Sequence, residues 1–335
     1  MTAFTQGVSA PSARFRIQQY VPILETLGLR VKELPARYGS YPPMSAWRRP
    51  DWLARSVLER LHAAYTNRDA DVVIFQREMI STLAFAEKLL PMPRVLDIDD
   101  AIWLNQRFNS VDRLADQCNL LVCGNNYIAD HFPRHPSVHI LPTAVDINRW
   151  SPLHEPRAEG PSGVIVWSGS SSGLPFLYSV ESPLRATLRA VPGSRLRVVC
   201  DAPPLGLTSL SSDQVEWLPW SPEYEVRAVQ TASVGIMPMP DGPWTQGKCS
   251  LKLLTYLSCG VPGVASPWGM NAEVIAGGGA VAAVRDDEWS QALIGLLREG
   301  DSRRKLGVQG RTQVEGKYST QVLAPRLASL LRSTI

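Results

Sequence analysis

No apolar run in this 335-residue chain approaches the ~20 residues a membrane-crossing helix needs, and no signal-peptide core opens it. Cysteines are few and scattered. Cys118, Cys123, Cys200, Cys249 and Cys259 are odd in number and form no C-x-x-C pair. This excludes a disulfide scaffold and the common zinc ribbons, and fits reduced thiols in a cytoplasmic protein. The G-x-G-x-x-G fingerprint of dinucleotide-binding units is missing too. Charge is sparse at 19% and nearly balanced at net +3, so no nucleic-acid partner is expected. The imbalance that exists is local: residues 1–60 carry nine Lys or Arg against four Asp or Glu. Such a basic face could meet an anionic acceptor or a membrane surface, which makes the expected location cytoplasmic or peripheral to the membrane.

What is present is best seen from Ser233 to Gly269, which reads as strand, loop, helix, turn and strand. The apolar run Val234–Met239 ends in a proline-bearing loop, Pro238–Pro243, that cannot continue a ladder. Gly247 and Lys248 are read as opening a helix with Leu251, Leu254, Tyr256 and Leu257 on one buried side. Gly260 caps that helix and Pro262 forbids its return. Strand, helix and strand with short connections imply a parallel α/β unit, in which ligands bind beyond the carboxyl ends of the strands. That edge would carry a helix N-terminus and two cations one turn apart, Lys248 and Lys252, a combination suited to a diphosphate. Gly242-x4-Gly247-Lys248 also matches part of a Walker A loop. Cys249 stands where the magnesium-binding hydroxyl belongs, however, and Pro243 removes an amide from the cradle.

The length fits two domains, and a polar stretch with three prolines and two glycines at Ser151–Gly163 marks the join. The expected division is 1–152, 153–317, and a C-terminal helix over 318–335 that packs back toward the first domain. In the first half, VLDIDD places Asp97, Asp99 and Asp100 at the end of a strand. Three carboxylates so close need donors, a metal or a substrate to offset them. Asp100 and Asp99 are the candidate catalytic residues, and Asp97 is expected to hold the loop through backbone amides. In the second half, VIVWSGSSSG is a strand running into a small-residue loop. Gly169, Ser170 and Ser171 could there cradle a phosphate with their amides.

Several segments together resemble one family. ARFRIQQYVPILETLG, VIFQRE, VLDIDDAIW, LPTAVDINRW, VWSGSSS and VGIMPMPDGPWTQGKCSLKLLTYLSCGVPGVASP are similar, in that order, to the pattern of group 1 (family 4) sugar-nucleotide glycosyltransferases, over roughly residues 13–320. The resemblance implies the GT-B architecture: two Rossmann-like, doubly wound parallel-sheet α/β domains facing a cleft. It implies transfer of a sugar from a nucleotide-diphosphate sugar to a hydroxyl acceptor, with retention, no metal and no cofactor beyond the donor substrate. Gly169, Ser170, Ser171, Asp241, Gly247, Lys248, Lys252 and Thr255 are the implied donor-binding positions. The acceptor, whether a sugar, a lipid-linked group or a small molecule, falls to the N-terminal domain. This chain departs from the pattern where the family's E-x7-E pair would fall, on Gly247 and Thr255, and where it often has a histidine, near Asp99-Asp100. Two other readings stay open. One is a non-catalytic nucleotide-sugar-binding homologue or partner subunit. The other is a GT-A transferase with a metal on Asp97 and Asp99.

Overall fold

The computed structural model describes residues 1–8, 10–39, 41–80, 86–105, 109–153 and 163–335. Its inner strands are short, mostly apolar runs buried on both faces, as parallel strands covered by helices must be. β1 (Thr2–Thr5), β2 (Lys32–Pro35), β3 (Val73–Gln76), β4 (Arg94–Ile98), β5 (Leu120–Cys123) and β6 (Val138–Ile140) form one six-stranded sheet in the order β2-β1-β3-β4-β5-β6. β7 (Val164–Ser168), β8 (Arg195–Cys200), β9 (Val215–Pro219), β10 (Val234–Met237), β11 (Gly263–Ala265) and β12 (Ala280–Ala282) form a second, in the order β12-β11-β10-β7-β8-β9. Every pairing in both sheets is parallel.

Two compact units hold these sheets. The first comprises Met1–Ala144, Gly247–Cys249 and Thr320–Ile335; the second comprises Val145–Gln246 and Ser250–Ser319. In the first, Leu323, Ala324, Leu327, Ala328 and Leu331 of the last helix, Thr320–Arg332, join a core with Ile17, Tyr20, Leu24, Ile74 and Val122. In the second, Trp167, Leu184, Leu196, Ile236, Trp289 and Leu293 centre the core. Of the expected linker at Ser151–Gly163, residues 154–162 lie outside the described residues.

Several elements differ from the sequence reading. The segment ARFRIQQYVPILETLG is not one helix: Pro11–Arg16 and Val21–Thr26 are separate short helices joined by a 3-10 turn at Gln18–Tyr20. Ile17 leaves the helical region there, and Pro22 sits in the first turn of the second piece, where a missing amide is harmless. A 17-residue helix runs Arg49–Tyr65, with Pro50 in its first turn. The last strand of the first sheet ends at Ile140.

The largest correction lies in the stretch that organises the second unit. Gly247 and Lys248 do not open the helix. Pro243–Gln246 is a separate helical turn, Ser250 takes a left-handed conformation (φ +53°), and the helix runs Leu251–Ser258. Lys248 and Lys252 are therefore not one helical turn apart on one face. From Leu253 onward every residue of this helix is buried, rather than one side only. Gly260, at φ +63°, ends it as expected.

Candidate active site

Doubly wound sheets bind ligands at the carboxyl edge where the strand order reverses. In the second sheet that point lies between β7 and β10, which pair over only Val234↔Ile165 and Gly235↔Val166. The cause of the early parting is local. The Tyr256 hydroxyl accepts from the Ser168 amide (3.1 Å) and donates to the Ile236 carbonyl (3.4 Å), standing where a ladder bond would be. Gly235 makes room for it, since a Cβ there would lie 2.2 Å from the Tyr256 ring. Ser168 is further anchored by its hydroxyl, which donates to Glu225 Oε1 at 2.6 Å. The two strands thus splay beyond a rigid clamp.

The loop after β7 lies at this opening. A Cβ on Gly169 would approach Lys252 Cε and the Trp167 ring to 2.8 Å, so glycine is what lets Lys252 cross the loop closely. Lys252 Nζ rests 4.8 Å from the Trp167 ring centroid, a cation–π contact that holds the ammonium at the switch point. Asp201 fixes Ser171, accepting from its amide (2.6 Å) and hydroxyl (3.0 Å). Its burial would raise its carboxyl pKa, but these bonds outweigh that and lower it. The Ser171 amide is therefore engaged internally. Ser170 and Ser172 bond to each other through their hydroxyls at 2.8 Å. Asp241 is exposed and accepts from Gln246 Nε2 at 3.4 Å. Thr255 is buried, and its hydroxyl donates one turn back to the Lys252 carbonyl.

In the first sheet the reversal falls between β1 and β3, and the end of β3 carries a residue that sequence reasoning passed over. Arg77 sits in the left-handed region (φ +61°), which for a residue with a Cβ costs about 1–2 kcal/mol. There its guanidinium donates to Asp99 (2.8 Å), Asp100 (2.8 Å) and the Tyr41 hydroxyl (3.1 Å). Lys248 Nζ donates to the other Asp100 oxygen at 2.8 Å. Burial alone would push Asp99 up; Arg77 above all, with Arg16 and Lys248, holds it below the ordinary carboxylate range. Asp97 is a separate pair. Buried, it accepts from Arg16 through both oxygens (Nε–Oδ2 3.0 Å, Nη2–Oδ1 2.5 Å), while Arg16 Nη1 donates to the Leu141 carbonyl. Its partner is thus a guanidinium and not, as expected from sequence, backbone amides. The only cue was the ARFR repeat of arginines, which says nothing about what lies opposite.

Lys248 reaches Asp100 because Gly247–Cys249 nests at the ends of β4 and β5. Asn125 Nδ2 donates to the Lys248 carbonyl (3.1 Å) and Cys249 Sγ to the Asp99 carbonyl (3.2 Å). A Cβ on Gly247 would meet Ala101 Cβ at 2.4 Å and its backbone nitrogen at 2.8 Å. A glutamate at 247 would displace this packing, which gives the departure from the E-x7-E pattern a steric cause. Nearby, Trp103 stacks on His131 (3.9 Å between centroids, 10° between planes).

Among the described residues no cluster of three or more His, Cys, Asp or Glu is arranged to hold a metal. The three aspartates each face cations: Asp97 faces Arg16, Asp99 faces Arg77, and Asp100 faces Arg77 and Lys248.

Comparison with known proteins agrees with this geometry. Residues 165–299 match the family model described as glycosyl transferases group 1. A GDP-mannose-dependent monoacylated alpha-(1-6)-phosphatidylinositol monomannoside mannosyltransferase of Corynebacterium glutamicum is 25% identical over 224 residues, 60% of this chain and 58% of the relative. The chain thus spans under two thirds of that protein's length. Among solved structures, sucrose-phosphate synthase from Thermosynechococcus elongatus superposes with a TM-score of 0.71 at 15% identity, covering 99% of this chain and 98% of the other. HepE of Anabaena, solved with UDP and glucose, gives 0.69 at 12% identity over 99% of each chain. The fold is GT-B, and with it the single-sheet GT-A alternative falls.

Proposed function

We propose that this chain, a GT-B protein of the group 1 glycosyltransferases, moves a sugar from a nucleoside-diphosphate sugar to a hydroxyl acceptor without a metal and with retention of the anomeric configuration. One observation carries the reading most of the way. Lys252 is held by Trp167 and Gly169 at the switch point of the second sheet, beside the start of the helix Leu251–Ser258. A cation and a helix N-terminus at one crevice suit a diphosphate leaving group, and they supply in fixed charge and dipole what a metal would otherwise supply. The names of the relatives agree in kind, since one uses GDP-mannose and another was solved with UDP.

In this reading the second unit holds the donor, with Lys252 on the diphosphate and the Gly169–Ser171 loop and Asp241 around it. Gly247 and Thr255 leave the donor sugar without the family's paired acids, and the sugar is selected elsewhere. Lys248 holds Asp100 through its ammonium. Asp100 holds the acceptor hydroxyl. Both its oxygens already accept from cations, so it suits orienting that hydroxyl more than carrying its proton away, and Asp99 keeps Arg77 in place beside it.

Lys252→Ala tests the donor half of the proposal. Calorimetric titration with UDP and GDP should show affinity for the preferred nucleotide falling by about 1.5–3 kcal/mol, the range for a hydrogen bond to a charged group. The thermal midpoint should hardly move. Equal affinity in the variant would remove Lys252 from the donor site. Tight nucleotide binding with no turnover of any sugar nucleotide would make the protein a non-catalytic nucleotide-sugar-binding homologue.

A further inference from the structure

The loop between β2 and the helix Arg49–Tyr65 sends one side chain back to the carboxyl edge of the first sheet. Tyr41 is 57% exposed, yet its hydroxyl accepts from Arg77 Nη1 at 3.1 Å. The backbone on both sides of it is pinned. Trp52 Nε1 donates to the Tyr38 (3.0 Å) and Gly39 (3.3 Å) carbonyls, and Arg49 Nε donates to the Pro43 carbonyl (3.1 Å). The same Arg77 guanidinium donates to Asp99 and Asp100, each at 2.8 Å. One buried fork thus fixes both a carboxylate and the tip of an exposed ring. So exposed a ring adds little burial energy to the fold, although its position is set.

The chemistry of this pair defines what it can hold. The phenol oxygen accepts from Arg77, and among the described residues nothing accepts its hydrogen, so the O–H remains a donor. Asp100, paired with two cations, is an acceptor. A donor and an acceptor on one guanidinium match two neighbouring oxygens of one molecule. One hydroxyl donates to Asp100, and the adjacent oxygen accepts from Tyr41. The exposed phenol face beside them suits the C–H face of a saturated ring. Charge narrows the class further. Arg77 and Lys248 are matched by Asp99 and Asp100, and Arg16 by Asp97. Buried Glu78, which accepts from the Ser110 hydroxyl at 2.5 Å, adds no cation. Among these groups no positive charge is left over for a phosphate or carboxylate.

We propose that Tyr41 and Asp100 together bind a vicinal diol on an uncharged saturated ring, a pyranose or related cyclic polyol that stacks on Tyr41. The assignment rests on the reading that Asp100 receives the acceptor hydroxyl. It makes Tyr41 the residue that selects among acceptors, because a site built to bond a second oxygen rejects molecules that lack it.

Saturation-transfer NMR of the full chain, with UDP or GDP at saturation, tests this with small probes. These are methyl α-mannopyranoside and methyl α-glucopyranoside, glycerol as a diol without a ring, and cyclohexanol as a ring without a diol. A pyranoside should bind about tenfold more tightly than glycerol or cyclohexanol, and glucose 6-phosphate no better than glucose. Tyr41→Phe keeps the ring and should weaken pyranoside binding about three- to tenfold, with the preference over cyclohexanol lost. Tyr41→Ala should also lose the preference over glycerol. The melting point should hardly move in either variant, since exposed positions seldom carry stability. Wild-type protein that binds no pyranoside would overturn the proposal, as would tighter binding of the sugar phosphate. Asp100→Asn that binds pyranosides like wild type would sink the Asp100 reading and the pair with it. Equal binding by Tyr41→Phe would sink Tyr41 alone. Binding is read without turnover, so the result does not depend on catalysis of transfer.

Discussion

Asp100→Asn should lower kcat by about 100-fold or more, because an amide does not fix the acceptor hydroxyl as the carboxylate does. The change keeps the side chain's shape and removes its charge. Arg77 and Lys248 then lose a shared anion at 2.8 Å from each, and the acceptor hydroxyl loses the group that aims it. Misplacing a reacting hydroxyl by as little as ~1 Å costs on the order of 100-fold, so orientation alone accounts for the lower bound. Nucleotide affinity should change little, because the Gly169 loop and Lys252 are untouched. The experiment is a steady-state assay with donor saturating and acceptor varied, repeated in excess EDTA. A drop confined to KM for the acceptor would make Asp100 a binding residue only. Activity lost to the chelator and restored by manganese would refute metal independence.

Arg77→Met should destabilise the first unit by about 3–5 kcal/mol, the cost of leaving a buried charge without its partner. The guanidinium is 8% exposed, and it serves two carboxylates that are themselves 15% and 19% exposed. Methionine keeps a Cβ in the same left-handed conformation, so the backbone strain stays and the loss reports the charge. The pH dependence separates this from a packing defect. Asp99 is held below its ordinary pKa in the folded protein, chiefly by Arg77 acting against burial. Its contribution is therefore complete above the unfolded aspartate pKa of ~3.9 and is lost as pH falls through the lower folded value. In urea titrations the gap between wild type and variant should be full at pH 7 and narrow below about pH 4. A gap that stays constant with pH would mean that Arg77 acts by shape. Arg77→Lys should recover only part of the loss, since one ammonium cannot reproduce a fork that reaches Asp99, Asp100 and Tyr41 together.

Much of this protein is written locally. Apolar runs such as VVIF, RVLDI, LLVC and VIVWS become parallel strands because burial on both faces needs little more than continuous hydrophobicity. Gly260 ends its helix because a left-handed residue is needed there and glycine takes it without strain. Strand ends and small-residue loops gather for the same reason, since parallel topology sends every such loop to one edge of its sheet. What the sequence could not decide is who faces whom. Arg16 and Asp97 are 81 residues apart, Arg77 and Asp99 are 22, and Lys248 and Asp100 are 148. Each pair exists only because strand order brings distant ends together. The start of the helix at Leu251 was equally hidden. Gly247 and Cys249 are taken up by Ala101 and Gly124 at the ends of another sheet's strands, and that tertiary packing overrides a run whose own spacing reads as helical from Lys248. Local propensity is worth tenths of a kcal/mol per residue, whereas leaving one partner of a buried ion pair without the other costs several. Where the two disagreed, the contacts made in three dimensions set the outcome.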